Sequence, residues 1–404
     1  MTERLYYNDP YLREFDAVVT GVERAGDRLR VALDRTAFYP TSGGQPFDTG
    51  RLGSLRVVDV ADDNGGTIAH VVEGGAVAVG DRVRGAIDWL RRFDHMQQHT
   101  GQHLLSAAFE HLFQVRTVSF HLGAAASTID LARETTPDEI AAAETGANRI
   151  VWEDRAVGIR YATAEEAAGL KLRKEPARGG TLRLIDVDGF DLSACGGTHV
   201  ARTGAIGVIA VSSWERFKGG QRVEFLCGGR ALERFRRMRD TVAAGVRLLS
   251  VAPEELGASV DRLLADGREQ KRVLDGLRRE LAQHRAAALA QSARVVTHNG
   301  LPINVILRAI DAEADELKAL ASHVTSAPGF AAILLSTSRP ARAVVARSAD
   351  VAIAANELLA ALTARFGGRG GGRPEFAQGG GLDAATDDIL AAAAERLGFS
   401  DPRA

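Results

Sequence analysis

A chain of 404 residues is too long for one core and implies two to four folded units, because compact domains usually hold roughly 100–200 residues. With 45% hydrophobic and 25% charged residues, wholesale disorder is excluded; two cysteines exclude a disulfide framework, and no stretch approaches the roughly 20 apolar residues that span a bilayer. A formal net charge of −2 gives no global attraction to nucleic acid, yet leaves local basic clusters free to meet phosphate. The N-terminus, MTERLYYNDP, has no basic start leading into an apolar stretch, so a cytoplasmic protein without a membrane partner is expected.

From Asp16 to about Asp88, short β-rich runs alternate with turn signals: DAVVTGV, the turn AGD, LRVALD, LRVVDV, the turn DNGG and TIAHVVEG. They predict a small antiparallel barrel. Between its second and third strands lies FYPTSGGQPFDTG, whose glycines and prolines oppose regular structure and let the backbone come close to another group.

At Asp94 the period changes. Asp94 and Gln97 suggest a capping box, and Met96, His99, Thr100, His103, Leu104, Ala107 and Leu112 recur at helical spacing, predicting a helix from about His95 to Phe113. TVSFHLG and STIDLA then alternate as strands, PDEIAAAETGANRIVWED reads as a helix, and strands return in LRLIDV, GAIGVIAVSSW and RVEFLCGG. In TVSFHLG the alternation puts Thr117, Ser119 and His121 on one face and Val118, Phe120 and Leu122 on the other, with the polar face expected toward a cleft.

Beyond Gly229 the chain turns helical and heavily charged. Val260, Leu263, Gly267, Leu274, Leu277, Leu281 and Ala288 keep a three–four spacing with Gln270 and His284 as polar interruptions, which predicts a coiled coil or helical hairpin broken near Pro253. From about Ser292 strands and helices alternate into a small α/β domain, and GGRGGGRPEFAQGGG reads as a glycine-rich loop before a final helix. The expected architecture is α+β and multidomain: an N-terminal antiparallel β-barrel (1–90), an α+β core (91–230), a helical coiled-coil linker (231–291) and a small C-terminal α/β domain (292–404).

Two histidines four apart on a helix share one face and chelate one metal. His99 and His103 have that spacing, and so do His95 and His99; spacing does not choose between them. In CGGTH, Cys195 to His199, paired glycines allow a tight loop that aims a thiolate and an imidazole at one point, a donor set that suits Zn²⁺. Four protein donors would normally close a zinc site, whereas catalysis needs an open position.

QHTGQHLL followed about ninety residues later by CGGTHV, with FYPTSGGQPFDTG upstream, resembles the editing domain of alanyl-tRNA synthetase and its free-standing AlaX-type relatives over residues from about Tyr6 to Gly229. The resemblance implies zinc held by His99, His103, Cys195 and His199, with His95 a neighbour, and a stand-alone hydrolase that cleaves serine or glycine from mischarged alanine tRNA. It implies that Gly43, Gly44 and Gln45 pack over the editing cleft. Ser119 falls where relatives place a polar residue that senses the substrate side chain; many synthetase modules carry glutamine there, and serine is a departure.

RGGGRP, Arg369 to Pro374, resembles the C-terminal domain that these synthetases attach through a coiled coil, related to a domain found beside DHH phosphoesterases. It implies tRNA binding through Arg369 and Arg373, assisted by Arg365, or dimer contacts, so a homodimer through the linker or this domain is expected. Two further basic clusters, Lys171, Arg173, Lys174, Arg178 and Arg183, then Arg216, Lys218 and Arg222, flank the CGGTH loop and are candidates to grip an acceptor stem. Cys227 reads as a packed core thiol. The rival readings are a non-catalytic tRNA-binding module with a structural zinc and a phosphoesterase, for which no DHH motif is found.

Overall fold

In the computed structural model, residues 1–63, 66–173 and 180–399 are described, and the chain divides into two compact units, Met1–Leu248 and Leu249–Ala404. The first opens with a closed barrel. Its strands are Glu14–Ala25, Arg28–Leu33, Gly50–Leu52, Leu55–Asp63, Thr67–Glu73 and Arg82–Ile87, all antiparallel; Thr67–Glu73 pairs with both Arg28–Leu33 and Leu55–Asp63, and Arg82–Ile87 closes the ring onto the first strand. Alternation along each strand sends Phe15, Val19, Val31, Leu33, Val57, Ile68 and Val72 inward. Two of these strands are absent from the sequence reading, because Gly50–Leu52 is short and Arg82–Ile87 (RVRGAI) carries charge and a glycine; a Cβ on that glycine, Gly85, would meet the Phe15 ring at 2.3 Å. The AGD turn forms, with Gly26 at φ +66°; half of the DNGG turn lies outside the described residues.

Helix α1 spans Trp89–Phe113 and begins six residues earlier than the sequence suggested. Asp88 is the N-cap, while Asp94 lies inside the helix and is held by Arg230 and by Gln98. The capping-box reading was therefore misplaced: the carboxylate pairs with a cation distant in sequence instead of capping. α1 is buried on nearly all sides, and most of its buried polar groups find partners: Gln98 exchanges hydrogen bonds with the Cys227 backbone (2.9 and 3.1 Å), and Thr100 donates to the Met96 carbonyl (2.8 Å). Gly101 is glycine because a Cβ there would lie 2.2 Å from the Cys227 sulfur.

α1 and helix α2, Pro137–Trp152, pack on a four-stranded antiparallel sheet ordered 209–217, 220–227, 127–131, 117–122. Thr136 and Glu139 form a reciprocal capping box at the start of α2. A smaller sheet orders 157–162, 182–187 and 191–194, and the short helix α3, Ala164–Ala168, follows its first strand. Helix α4, Gly228–Leu249, ends this unit.

The second unit begins with a short 3-10 turn at Pro253–Glu255 and helix α5, Leu256–Gln291. A six-stranded sheet ordered 294–298, 301–310, 330–336, 341–347, 376–382, 369–373 follows, with helices α6 (Ala314–Val324), α7 (Ala355–Phe366) and α8 (Thr386–Arg396). Both faces of the sheet are covered: Ala332 and Leu334 face α5 and α6, and Ala331, Ile333 and Leu335 face α7 and α8. The run read as a glycine-rich loop is instead a hairpin, Arg369–Arg373 with Phe376–Leu382. Its glycines let two backbones and Leu359 approach closely, since a Cβ on Gly370 would lie 2.6 Å from the Gly379 Cα and 2.9 Å from Leu359. Among the described residues, no helix is long and apolar enough to cross a membrane.

One core group makes the fold sensitive to pH. His70, fully buried and bonded to Thr36 (2.8 Å) and the Val31 carbonyl (3.0 Å), is pushed down by burial to about 4. Between about 4 and 6.5 the unfolded chain takes a proton that the folded barrel refuses, so stability is greatest above this window and is lost as pH falls through it, by about 3 kcal/mol for this group. Urea unfolding across pH 4–7 should show the midpoint falling toward acid; a flat profile would contradict it.

Candidate metal centre

The i, i+4 spacing on α1 puts His99 and His103 side by side, ring centroids 5.4 Å apart. The CGGTH loop, leaving strand 191–194, brings Cys195 and His199 against them: one donor atom from each of the four residues lies within 4.8 Å of the others. The Cys195 sulfur is 3.4 Å from Nε2 of His99 and 3.4 Å from Nε2 of His199. A nitrogen and a sulfur on one tetrahedral zinc stand about 3.5 Å apart, so the spacing fits that ion.

The orientation of the rings fits as well. Gln45 Oε1 accepts from His99 Nδ1 at 2.8 Å, an Asp191 carboxylate oxygen accepts from His103 Nδ1 at 2.9 Å, and Thr100 Oγ1 accepts from His199 Nδ1 at 3.2 Å. With each Nδ1 occupied as a donor, each imidazole presents Nε2 to the cluster, the tautomer a metal requires. Asp191 is in turn held by Arg173 (2.6 Å) and Ser193 (3.0 Å). The loop is braced from behind by Arg183, which donates to the Cys195 and Gly197 carbonyls at 2.7 and 2.9 Å.

Burial opposes ionisation of Cys195, but the neighbouring His99 and His199, with hydrogen bonds from His103 and His199, outweigh it and hold the thiol well below its ordinary range. Burial, then the charge of His99, pushes His199 down to about 3; burial opposes the charged form of His103, while Asp191 raises it. The cysteine is thus favoured as a thiolate, the form in which a thiol binds a metal. His95 is buried outside the cluster and is pushed by burial and by Arg91 to about 4, while His103 lies within it.

A cavity of about 690 Å³ opens beside His103 and Cys195, walled by Gly43, Ser119, Phe120 and Arg173 among others. Both faces of strand 117–122, which lies at the edge of its sheet, border it: Thr117 and Ser119 on one side of the alternation, Val118 and Phe120 on the other. Ser119 is exposed on this wall and donates to Asp130, which is paired with Arg222 at 2.7 Å. Gly44 packs on Phe120, where a Cβ would lie 2.7 Å from the ring, and Phe120 in turn packs on His99. Gln45 does not reach the cavity; it is fully buried, and its amide is spent on His99 and Thr198.

The basic candidates separate. Lys171 is exposed; Arg173 is tied to Asp191, Arg216 to Glu134, Arg222 to Asp130 and Arg365 to Glu395; Lys218 lies over the Phe217 ring; Arg183 is buried behind the loop. Lys174 and Arg178 lie outside the described residues. Arg369 and Arg373 are exposed on the edge strand of the second unit. Asp191 was missed by the sequence reading, although period-two alternation through Asp191, Ser193 and Cys195 marks it as sharing a face with the cysteine.

Family profiles match three segments: tRNA synthetases class II (A) over residues 10–91, the Threonyl and Alanyl tRNA synthetase second additional domain over 182–224, and the DHHA1 domain over 302–398. The alanyl-tRNA editing protein AlaX-L of Pyrococcus horikoshii is 31% identical over 406 residues, covering 98% of this chain and 98% of its own. The alanine–tRNA ligases of Pyrococcus abyssi and Methanoregula boonei are each 34% identical over 94% of this chain, which spans only 42% of their length. The C-Ala domain of Aquifex aeolicus alanyl-tRNA synthetase aligns with 24% of this chain and 91% of its own at 22% identity, with a TM-score of 0.22.

The two loop glycines should behave differently. A Cβ on Gly197 would lie 2.1 Å from the His99 ring, whereas one on Gly196 would meet only the Tyr7 hydroxyl, at 3.4 Å. Gly197→Ala should lose stoichiometric zinc while Gly196→Ala retains it, read by elemental analysis after dialysis; equal zinc content in the two variants would contradict the packing argument.

Proposed function

Because the chain belongs to the family of the alanyl-tRNA editing protein AlaX-L, we propose that it hydrolyses the ester joining a wrong amino acid, serine or glycine, to alanine tRNA, with zinc held by His99, His103, Cys195 and His199. The observation that carries the reading is the convergence of these four donors, each imidazole turned by its own partner, with His103 and Cys195 on the wall of a cavity of about 690 Å³. Zinc bound there would supply a Lewis acid for an ester carbonyl or an attacking water.

The chain's own residues divide the remaining work. Gln45, Asp191 and Thr100 fix the rings, and Arg183 fixes the loop that carries Cys195 and His199. Phe120 and Gly44 wall the site, and Gly43 and Ser119 face the space a substrate would fill. A closed four-donor set also suits a structural ion. The opening of the cavity onto His103 and Cys195 favours the reactive reading, since a structural zinc gains nothing from access.

For tRNA, the exposed Arg369 and Arg373 on the glycine hairpin, with Lys171 near the cavity, are the proposed phosphate contacts. The four expected segments, 1–90, 91–230, 231–291 and 292–404, are proposed as barrel, editing core, helical linker and C-terminal tRNA-binding domain. The α5 seam of Val260, Leu263, Leu274, Leu277 and Leu281 is about half exposed at each position, 42% to 58%, and supports pairing with a second copy.

Two experiments follow. Purified protein should deacylate serine-charged alanine tRNA. His103→Ala should lower kcat/KM by roughly a hundredfold or more, and Asp191→Asn by roughly 10–100-fold while remaining folded; a structural zinc predicts no activity in any of the three. Light scattering should give twice the chain mass, and Leu274→Asp with Leu277→Asp should give the monomer; a monomeric wild type would remove the dimer.

A further inference from the structure

Gln102 sits on α1 between the two helical histidines, is 2% exposed, and lies on the wall of the cavity beside His103. Its amide is pinned at one end: Nε2 donates to Ser106 Oγ at 2.8 Å, and Ser106 Oγ also accepts from Thr117 Oγ1 at 2.8 Å. The other end is free. Oε1 is buried and has no hydrogen-bond partner. Buried side-chain acceptors are nearly always paired, and one held rigidly at a cavity wall can take its donor from whatever fills the cavity.

Resting on the hydrolase reading above, we propose that Gln102 is a specificity-determining residue whose Oε1 accepts a hydrogen bond from the side-chain hydroxyl of the ester-linked amino acid. The acceptor's surroundings choose the donor. An aminoacyl ester of serine offers an ammonium and a hydroxyl, whereas a glycyl ester offers only the ammonium. A cation taken out of water calls for a carboxylate, and Asp191 is already occupied by His103, Arg173 and Ser193. A neutral amide flanked by the hydroxyls of Ser106 and Thr117 suits a neutral hydroxyl. A site built to bond a hydroxyl discriminates by leaving its own acceptor unpaired when the hydroxyl is missing.

The test compares zinc-loaded wild type, Gln102→Met and Ser106→Ala on serine- and glycine-charged alanine tRNA. Zinc content and melting temperature are recorded, together with binding of the non-hydrolysable 3′-seryl- and 3′-glycyl-aminoadenosine amides. Gln102→Met should lower the seryl-to-glycyl ratio of kcat/KM by about tenfold, lower seryl-amide affinity without changing glycyl-amide affinity, and keep its zinc. Ser106→Ala, which frees the amide to rotate, should shift the ratio the same way by less. Equal losses on both substrates, or an unchanged ratio, in either folded and zinc-loaded variant overturns the assignment. A wild type that clears neither substrate overturns the hydrolase reading itself, a result distinct from failure of the Gln102 assignment alone.

Discussion

One side-chain amide joins the three segments on which the site depends. Gln45 Oε1 accepts from His99 and from the Thr198 backbone, and its Nε2 donates to the Thr198 hydroxyl, so the glycine loop of the barrel, helix α1 and the CGGTH loop meet at a single planar group. The bonds need one acceptor shared by two donors and one donor in a fixed fork, which a side-chain amide supplies. The donor set is therefore assembled by tertiary structure, with the barrel supplying one of its orienting groups.

A second buried contact holds the same parts in register. Arg92 of α1 and Asp48 of the glycine loop are both fully buried and ion-paired, and Arg92 also donates to the Pro10 carbonyl at 2.8 Å and the Ala37 carbonyl at 2.5 Å. Such a pair adds little net stability over an apolar substitute, but removing one partner strands a buried charge at about 3–5 kcal/mol. Its effect is specificity: only one seating of α1 against the loop satisfies it, and that seating brings His99 to Gln45. Elsewhere on α1, Gln98, Thr100 and the metal-facing histidines are likewise buried against partners that the fold supplies.

The parts legible in sequence were those encoded locally. Histidines four apart and a Cys–Gly–Gly–Thr–His loop announce donor pairs because helix geometry and glycine turns act over a few residues; the break near Pro253 is local in the same way. What spacing left open, His95 against His103, turns on which histidine the fold brings to the cluster, and the orienting partners are 54, 88 and 99 residues away for His99, His103 and His199. Asp94 misled because a capping residue and the anchor of a distant arginine look alike in one dimension. RGGGR misled because glycine signals close approach of backbones, which a hairpin needs as much as a loop does. Alternation assigned the cavity to the face of Thr117 and Ser119 alone, whereas Val118 and Phe120 of this edge strand border it too, a placement that tertiary structure sets.

X-ray absorption at the zinc edge, on protein as purified, addresses the central claim directly. A single zinc per chain with three nitrogen neighbours near 2.0–2.1 Å and one sulfur near 2.3 Å is the predicted shell. A spectrum without sulfur, one with two or more sulfurs, or protein that binds no zinc would contradict the assignment of His99, His103, Cys195 and His199 as one metal centre.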